Sequence, residues 1–472
     1  MAVLKETNWY MRAGGSDTNG GGYDGENYAG GVNYADQDSP QATLTTSSTV
    51  HSTTTQINVA VGDYTVTAND VGNCILITSG TATQGYYFIT TVDIPNNRWT
   101  MDRSVGASSA TVAGKMGGAH ASFKQYMTGG AAGTPSITSP LIAGNTINVR
   151  GSGTDNGTTA DFDYTANGAN YWTATSGSST NGWIKIVGYN GRPVIKHPGL
   201  LIYSVSGWWC ENIKFINTGA NYSIGVINYT VMSKNCIYDQ AGYDNTVCAT
   251  ISAMDNYFLN TGSTSSGSTY SITPGSYGGD ISGNFFLGTR GPAISVNNIA
   301  KFTNNLIVNN KSSVAAVVVT NTNTSWTTTI VGNTIYNSAG DGIRATTAAG
   351  ITGSVIYNNI IANNTGYGIN FTTGTASFNN RNVQILDYNN IYSNTAGAYN
   401  GCSAGSHDTA LNPSFTNTGT YDFSVGTNMK AIGYPSLIGR YSATTSYVDA
   451  GVAQRQESGG GGSATVAYVS VG

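Results

Sequence analysis

The carboxylates that could do chemistry in this 472-residue chain are few: Asp and Glu together number 24 against 20 Lys and Arg, a net charge of -4. Glycoside cleavage needs two carboxyl groups roughly 5 Å apart for retention, or roughly 6.5–9.5 Å apart for inversion. In the repeat-rich middle of the chain the weak catalytic candidates are Glu211, Asp239, Asp244 and Asp255. Counted from the last Asn of each repeat, no two of them on successive repeats share a register. Glu211 and Asp255 come closest, two repeats apart and offset by one residue. Loops of unequal length would have to bring Asp239, Asp244 and Asp255 together. Asp239 itself reads as a member of an Asn-type ladder.

Other chemistries are supplied no better. His51, His120, His197 and His407 are isolated, and the five cysteines, Cys74, Cys210, Cys236, Cys248 and Cys402, contain no C-x-x-C. No Asp-x-x-Asp grouping and no nucleophile elbow are present, so no metal and no cofactor are expected. Charged residues make up 9% of the chain, against about 25% in typical soluble proteins. Without a Lys/Arg cluster nucleic acid is not an expected partner. No 18-residue apolar run exists, which removes a membrane span, and Met1 to Thr7 lacks the apolar core of a secretory signal.

Aromatic residues are the more telling supply, with 30 Tyr and 7 Trp. Rings of this kind stack on sugars and hydrogen-bond hydroxyls at low entropic cost. They crowd residues 200 to 260, where Trp208, Trp209, Tyr222, Tyr229, Tyr243 and Tyr257 are the glycan-binding candidates. Alternation along a strand turns about half of any such set toward a core.

The elements that must position these residues come from a repeat. A short apolar phrase between asparagines recurs at Asn305 to Asn309, Asn333 to Asn337, Asn359 to Asn363 and Asn390 to Asn394. Upstream copies start at Asn235, Asn256 and Asn284, so the first Asn falls at 235, 256, 284, 305, 333, 359 and 390. The intervals are 21, 28, 21, 28, 26 and 31 residues by subtraction. A period in the twenties with one short β-branched or aromatic strand per unit predicts a β-solenoid. Propeller blades run near forty residues. Regular apolar positions set the chain apart from a disordered Asn-rich tract. Asn tolerates the left-handed backbone of a corner, and its amide can bond the Asn above and below.

Taken in order, residues 1–44 form an N-terminal strand and Gly-rich loop. Residues 45–119 read as an inserted antiparallel β module, with strands at Gln56 to Val59, Tyr64 to Val66, Cys74 to Ile77, Tyr86 to Ile89 and Arg98 to Met101. Residues 120–440 form the solenoid, its first full coil starting near Ile137. Residues 152 to 181, with Tyr164, Tyr171 and Trp172, form a polar loop long enough to project. Residues 441–472 are a tail ending in an alternating strand, Ala464 to Val471, suited to pairing with another chain.

Several phrases carry a family resemblance. They are Trp9-Tyr10 followed by Gly15-Ser16-Asp17 and Asn19-Gly20, then Ala42-Thr43-Leu44. Gly144 to Gly151 and Gly182 to Ile195 follow, with Leu411 to Phe415, Tyr421 to Val425 and Val448 to Arg455 near the end. Together they resemble right-handed parallel β-helix proteins of the pectate-lyase-like superfamily, in particular bacteriophage spike, fibre and decoration proteins. The resemblance implies an all-β right-handed parallel β-helix, and a virion surface component, homotrimeric and rigid, acting in host attachment. Its partners would be surface polysaccharide and other virion proteins, met through the N-terminal segment or the C-terminal strand. Two alternatives share the scaffold: a polysaccharide depolymerase, hydrolase or lyase, and a bacterial surface adhesin.

Overall fold

The computed structural model describes residues 7–129, 140–153, 159–164, 173–174, 182–197, 207–217, 231–240, 248–250, 252–261, 271–274, 279–296, 300–320, 328–346, 354–372, 385–429, 432–433 and 450–452. The chain forms two compact units, Met1–Lys196 with Leu201–Lys214, and His197–Leu200 with Phe215–Gly472.

In the second unit each coil contributes one short strand to each of three parallel sheets. The first sheet runs through Val231–Lys234, Ser252–Met254, Gly279–Ser282, Ala300–Thr303, Thr329–Val331, Val355–Tyr357 and Ile385–Asp387. The second runs through Ile237–Gln240, Tyr257–Leu259, Phe285–Leu287, Leu306–Val308, Thr334–Tyr336, Ile360–Ala362 and Asn390–Tyr392. The third starts at Cys248–Thr250 and ends at Gly397–Asn400. This is the expected parallel β-helix, with the right-handed crossover that parallel connections adopt.

The strands are short because left-handed residues end them. The corner between the first and second sheets is Asn235, Asp255, Gly283, Asn304, Gly332, Asn358 and Tyr388, all at positive φ. The corner after the second sheet is Asn260, Gly288, Asn309, Asn337, Asn363 and Ser393, again at positive φ. Asn and Gly take that conformation at least cost, which is why they punctuate the repeat.

The residue after the first corner makes the ladder. Backbone N and Nδ2 of Asn256 both donate to Oδ1 of Asn284 at 3.0 Å. Asn284 does the same to Asn305 at 2.9 Å, and Asn305 to Asn333 at 2.9 and 3.0 Å. Asn333 passes it to Asn359 at 3.0 Å, and Asn359 to Asn389 at 3.2 and 2.9 Å. The second Nδ2 hydrogen is also used: Asn305 donates to Ile281 O and Asn333 to Phe302 O, each at 2.9 Å. The sequence template is one residue out at both ends. Asn235 is the corner, and Cys236 stands in the ladder position, its N–H donating to Asn256 Oδ1. At the far end the corner is Tyr388 and the ladder member is Asn389, while Asn390 opens the strand. Asp239 is not in a ladder slot either, since it pairs with Leu259 inside the second sheet. Because corner and ladder both select Asn, adjacent asparagines hide which is which.

Beside the ladder, Phe215, Tyr238, Phe258 and Phe286 stack with centroids 5.5, 5.0 and 4.7 Å apart and planes within 12°. The register then continues through Ile307, Ile335, Ile361 and Ile391. Each such buried side chain contributes about 1.5–3 kcal/mol. On the outside of the second sheet, Phe423, Val425, Met429 and Val452 pack against Phe285, Leu306, Val308 and Ile360. Gly451 lies flat there at φ +90°, where a Cβ would meet Ile360 Cδ1 at 2.6 Å.

The first unit is also built on parallel pairing. Asn8–Met11 pairs with Thr146–Arg150, which pairs with Ile184–Tyr189, which pairs with Trp208–Glu211. The opening strand is therefore the first rung of the sheet rather than a lead-in to it. The inserted module is a closed antiparallel barrel of six strands. Its first strand, Ala42–Val50, begins three residues before the boundary read at 45, because Ala42 to Leu44 pair with Gly114 to Met116. Tyr64 to Val66 is a loop instead of a strand: Tyr64 donates to the buried Asp70 at 2.8 Å, and Trp99 Nε1 donates to the same carboxylate at 2.8 Å.

His120 joins the opening loop to this unit. Its Nε2 faces Asn19 O at 3.1 Å, and its Nδ1 faces the Tyr126 hydroxyl at 2.9 Å. Burial pushes the imidazole down from its ordinary 6.5 to about 4. Below pH 6.5 the unfolded chain binds a proton that the folded one refuses, so stability is full above that pH and falls by about 3 kcal/mol towards pH 4. The unfolding midpoint of the chain is expected to fall over this window, and His120→Gln is expected to flatten the dependence; urea melts at a series of pH values measure both. Asn333→Ala strands the donors of Asn305 and removes the acceptor-linked donor to Asn359. Unpaired buried groups cost about 1–3 kcal/mol each, so a loss of about 3 kcal/mol is expected in the same melts, against under 1 kcal/mol for the exposed Lys301→Ala.

Candidate functional site

Alternation sorts the strands of the first unit's sheet into two faces. Trp9, Met11, Ile147, Val149, Ile184, Ile186, Trp208 and Cys210 are fully buried. The residues between them, Asn8, Tyr10, Asn148, Arg150, Lys185, Tyr189, Trp209 and Glu211, are half-buried or exposed. The register sets Trp209 beside Lys185, Glu211 beside Val187, and Tyr189 beside Arg150. Neighbouring strands stand roughly 4.8 Å apart, so Trp209 and Tyr189 each have a cation at the next strand, while Tyr10 stands beside Asn148. Trp209 and Tyr189 lie four residues apart in register, about 13 Å along the strands. The result is an elongated face.

Hydrogen bonds hold its rings. Trp209 Nε1 donates to Glu211 Oε2 at 3.0 Å. Tyr10 and Tyr189 meet edge to face with centroids 6.5 Å apart. The Tyr189 hydroxyl donates to Asp36, and Arg12 ties the same loop through Asp38 at 2.7 Å and Asp36 at 3.3 Å. Burial, and then the bond to Asp36, push the Tyr189 phenol up, so it stays protonated and donates. Burial likewise raises Tyr10. Asn148 donates to Asn8 Oδ1 at 3.2 Å. Such a face offers stacking surface with fixed polar groups at its margins.

Of the residues singled out from sequence, Trp209 and Glu211 lie on this face. Trp208 does not: it is fully buried, because it sits one position out of phase with its neighbour on a strand of period two. Tyr257, half-buried, packs edge-on against Phe285 at 6.0 Å and against the covered outer face of the second sheet. Tyr222, Tyr229, Tyr243 and Asp244 lie outside the described residues, as do Tyr171, Trp172 and the terminal strand from Ala464. Tyr164 is buried, its hydroxyl accepting from Phe123 N at 3.1 Å.

Within the second unit, Asp239 and Asp255 do not share a register. Glu211 belongs to the first unit and bonds Trp209. Asp255 is a left-handed corner whose N–H donates to Ser282 O at 3.0 Å. Asp239 pairs with Leu259, four residues beyond Asp255 in register. Among the described residues no three His, Cys, Asp or Glu side chains converge to hold a metal ion. Cys74, Cys210, Cys236 and Cys402 are free thiols. No helix among the described residues is long and apolar enough to cross a membrane.

Sequence reading missed Tyr10, Arg12, Arg150, Lys185 and Tyr189. Their signal was present as the outward-phase members of the opening strand, of Gly144 to Gly151 and of Gly182 to Gly191, but only strand pairing places them side by side.

No protein-family model matches the chain, and no curated protein sequence matches it. Solved structures similar to it include the crystal structure of pectate lyase Pel9A, 14% identical, with 67% of this chain and 89% of that chain covered at a TM-score of 0.38. A likeness of that size carries no argument, and the fold stands on the strand pairings themselves.

Proposed function

We propose that this chain is a rigid β-helical surface protein that binds polysaccharide along the outward face of its first unit. The observation that carries the reading is the pairing of ring and cation on adjacent strands, Trp209 with Lys185 and Tyr189 with Arg150, with Tyr10 edge-on to Tyr189. The virion reading, a spike, fibre or decoration protein acting in host attachment as a homotrimer, draws its support from the sequence phrases that resemble such proteins. It fits a chain built of stiff repeats and poor in charge. Asp239 and Asp255 differ in register within the second unit, which favours binding over backbone cleavage of the glycan.

Trp209→Ala is expected to weaken binding of the full chain to bacterial capsule or lipopolysaccharide roughly tenfold, the worth of one ring stack. Affinity electrophoresis measures it, with Lys301→Ala as the control expected to bind as the unaltered chain does. Equal binding by Trp209→Ala would remove this face from the account. Release of reducing ends from the same polysaccharides would instead establish a depolymerase. Mass spectrometry of purified phage particles tests the virion assignment, and sedimentation equilibrium the trimer.

A further inference from the structure

In the second unit, a cluster at the last coil is unused by glycan binding on the first. Asp387 Oδ1 accepts from the backbone N of His407 at 2.6 Å and from that of Tyr388 at 3.0 Å, while its Oδ2 faces His407 Nδ1 at 2.7 Å. The imidazole lies flat on Tyr388, centroids 4.4 Å apart and planes within 9°. The His407 side chain is nevertheless 56% exposed. An exposed histidine ordinarily samples several rotamers, and this one is held in a single pose by a carboxylate and a ring.

The backbone marks the same place. Tyr388 sits at φ +58°, at the corner that the preceding coils fill with Asn, Asp or Gly. A side chain such as Tyr in the left-handed region costs roughly 1–2 kcal/mol. Strain kept where a cheaper residue serves elsewhere is a mark of function.

The arrangement defines the chemistry. With its Nδ1–H turned to Asp387, the imidazole offers Nε2 as proton acceptor. Ser406 Oγ lies on the Nδ1 side, 3.2 Å away, so this ring does not activate it as a nucleophile. Residues 385–412 contain no Lys or Arg, and Asp408 stands close by on Tyr399 at 2.5 Å. The two carboxylates, Asp387 and Asp408, disfavour anionic esters there. Ile385, two residues before Asp387 on the same strand and 42% exposed, gives a short acyl group an apolar contact. Burial raises the Asp387 carboxyl, but the hydrogen bonds from His407 outweigh it and hold it below its ordinary value.

We propose that Asp387 and His407 form a general-base site that hydrolyses neutral esters, the class to which O-acetyl groups on sugars belong. Nε2 takes a proton from water as the water oxygen adds to the ester carbonyl carbon. The adduct collapses by breaking the carbon–oxygen bond to the alcohol. The leaving oxygen takes the proton back from Nε2, giving carboxylic acid and alcohol. Asp387 is a positioning residue, and its charge steadies the imidazolium between the two proton transfers.

The test is hydrolysis of p-nitrophenyl acetate and acetate release from an O-acetylated polysaccharide by the full chain, with imidazole at equal concentration as reference. The expected rate exceeds that of imidazole at least tenfold. His407→Gln is expected to abolish it. Asp387→Asn is expected to lower kcat at least tenfold with KM unchanged, since the imidazolium loses its counter-charge. Tyr388→Asn, which restores the residue type of other corners, is expected to raise the unfolding midpoint while lowering the rate. A wild-type rate no greater than that of imidazole, an unchanged rate in folded His407→Gln, or an unchanged rate in Tyr388→Asn would each overturn the proposal.

Discussion

A buried amide that must be satisfied from both sides sets the pitch of the second unit. Each ladder asparagine accepts two hydrogen bonds on one oxygen and gives two from its nitrogen, one to the next coil and one to a strand carbonyl. The side chains concerned are 0–1% exposed from Asn256 to Asn389, so water offers no substitute. A coil that slipped by one residue would leave an amide unpaired, at about 1–3 kcal/mol per group. The ladder needs ends as well as members. It opens at Cys236, which supplies only its backbone donor. It closes at Asp408, whose Oδ1 takes the backbone and side-chain donors of Asn389 at 2.6 and 3.2 Å and asks for no acceptor beyond.

That closure also protects an edge. Asn389 O and Ile391 N, which a further coil would have engaged, pair with Thr409 N and O at 2.8 Å. An unpaired strand edge is a template for another chain, and the segment after the last coil covers part of it. The same segment brings His407 to Asp387. Structural termination and the clustering of polar groups at the last coil are thus two consequences of one turn of chain.

Facing direction decides function in such a fold, because a strand of period two gives each neighbour the opposite fate. Trp208 and Trp209 are the plainest case: one fills the core of the first unit, and the other faces outward and donates to Glu211. Cations follow the same rule. Lys185 and Arg150 reach the outward face because Ile184, Ile186 and Val149 are committed to the core.

The sequence by itself determined the β-helix and its period, because corner and ladder positions both demand Asn or Gly and the strands between them are apolar. The apolar segments Leu306–Val308 and Ile360–Ala362 could be read directly as strands of one sheet. Which of two adjacent asparagines turns the corner and which carries the ladder, as at Asn389 and Asn390, was settled only by three-dimensional pairing. So was the fate of the candidate site residues. Trp208 went to a core and Tyr257 to the edge of one, and Tyr10, Lys185 and Tyr189 were assembled from strands more than a hundred residues apart. Local chemistry fixes what a residue can do at its own position in the coil; its neighbours come from other coils, and the register between coils is a property of the stack.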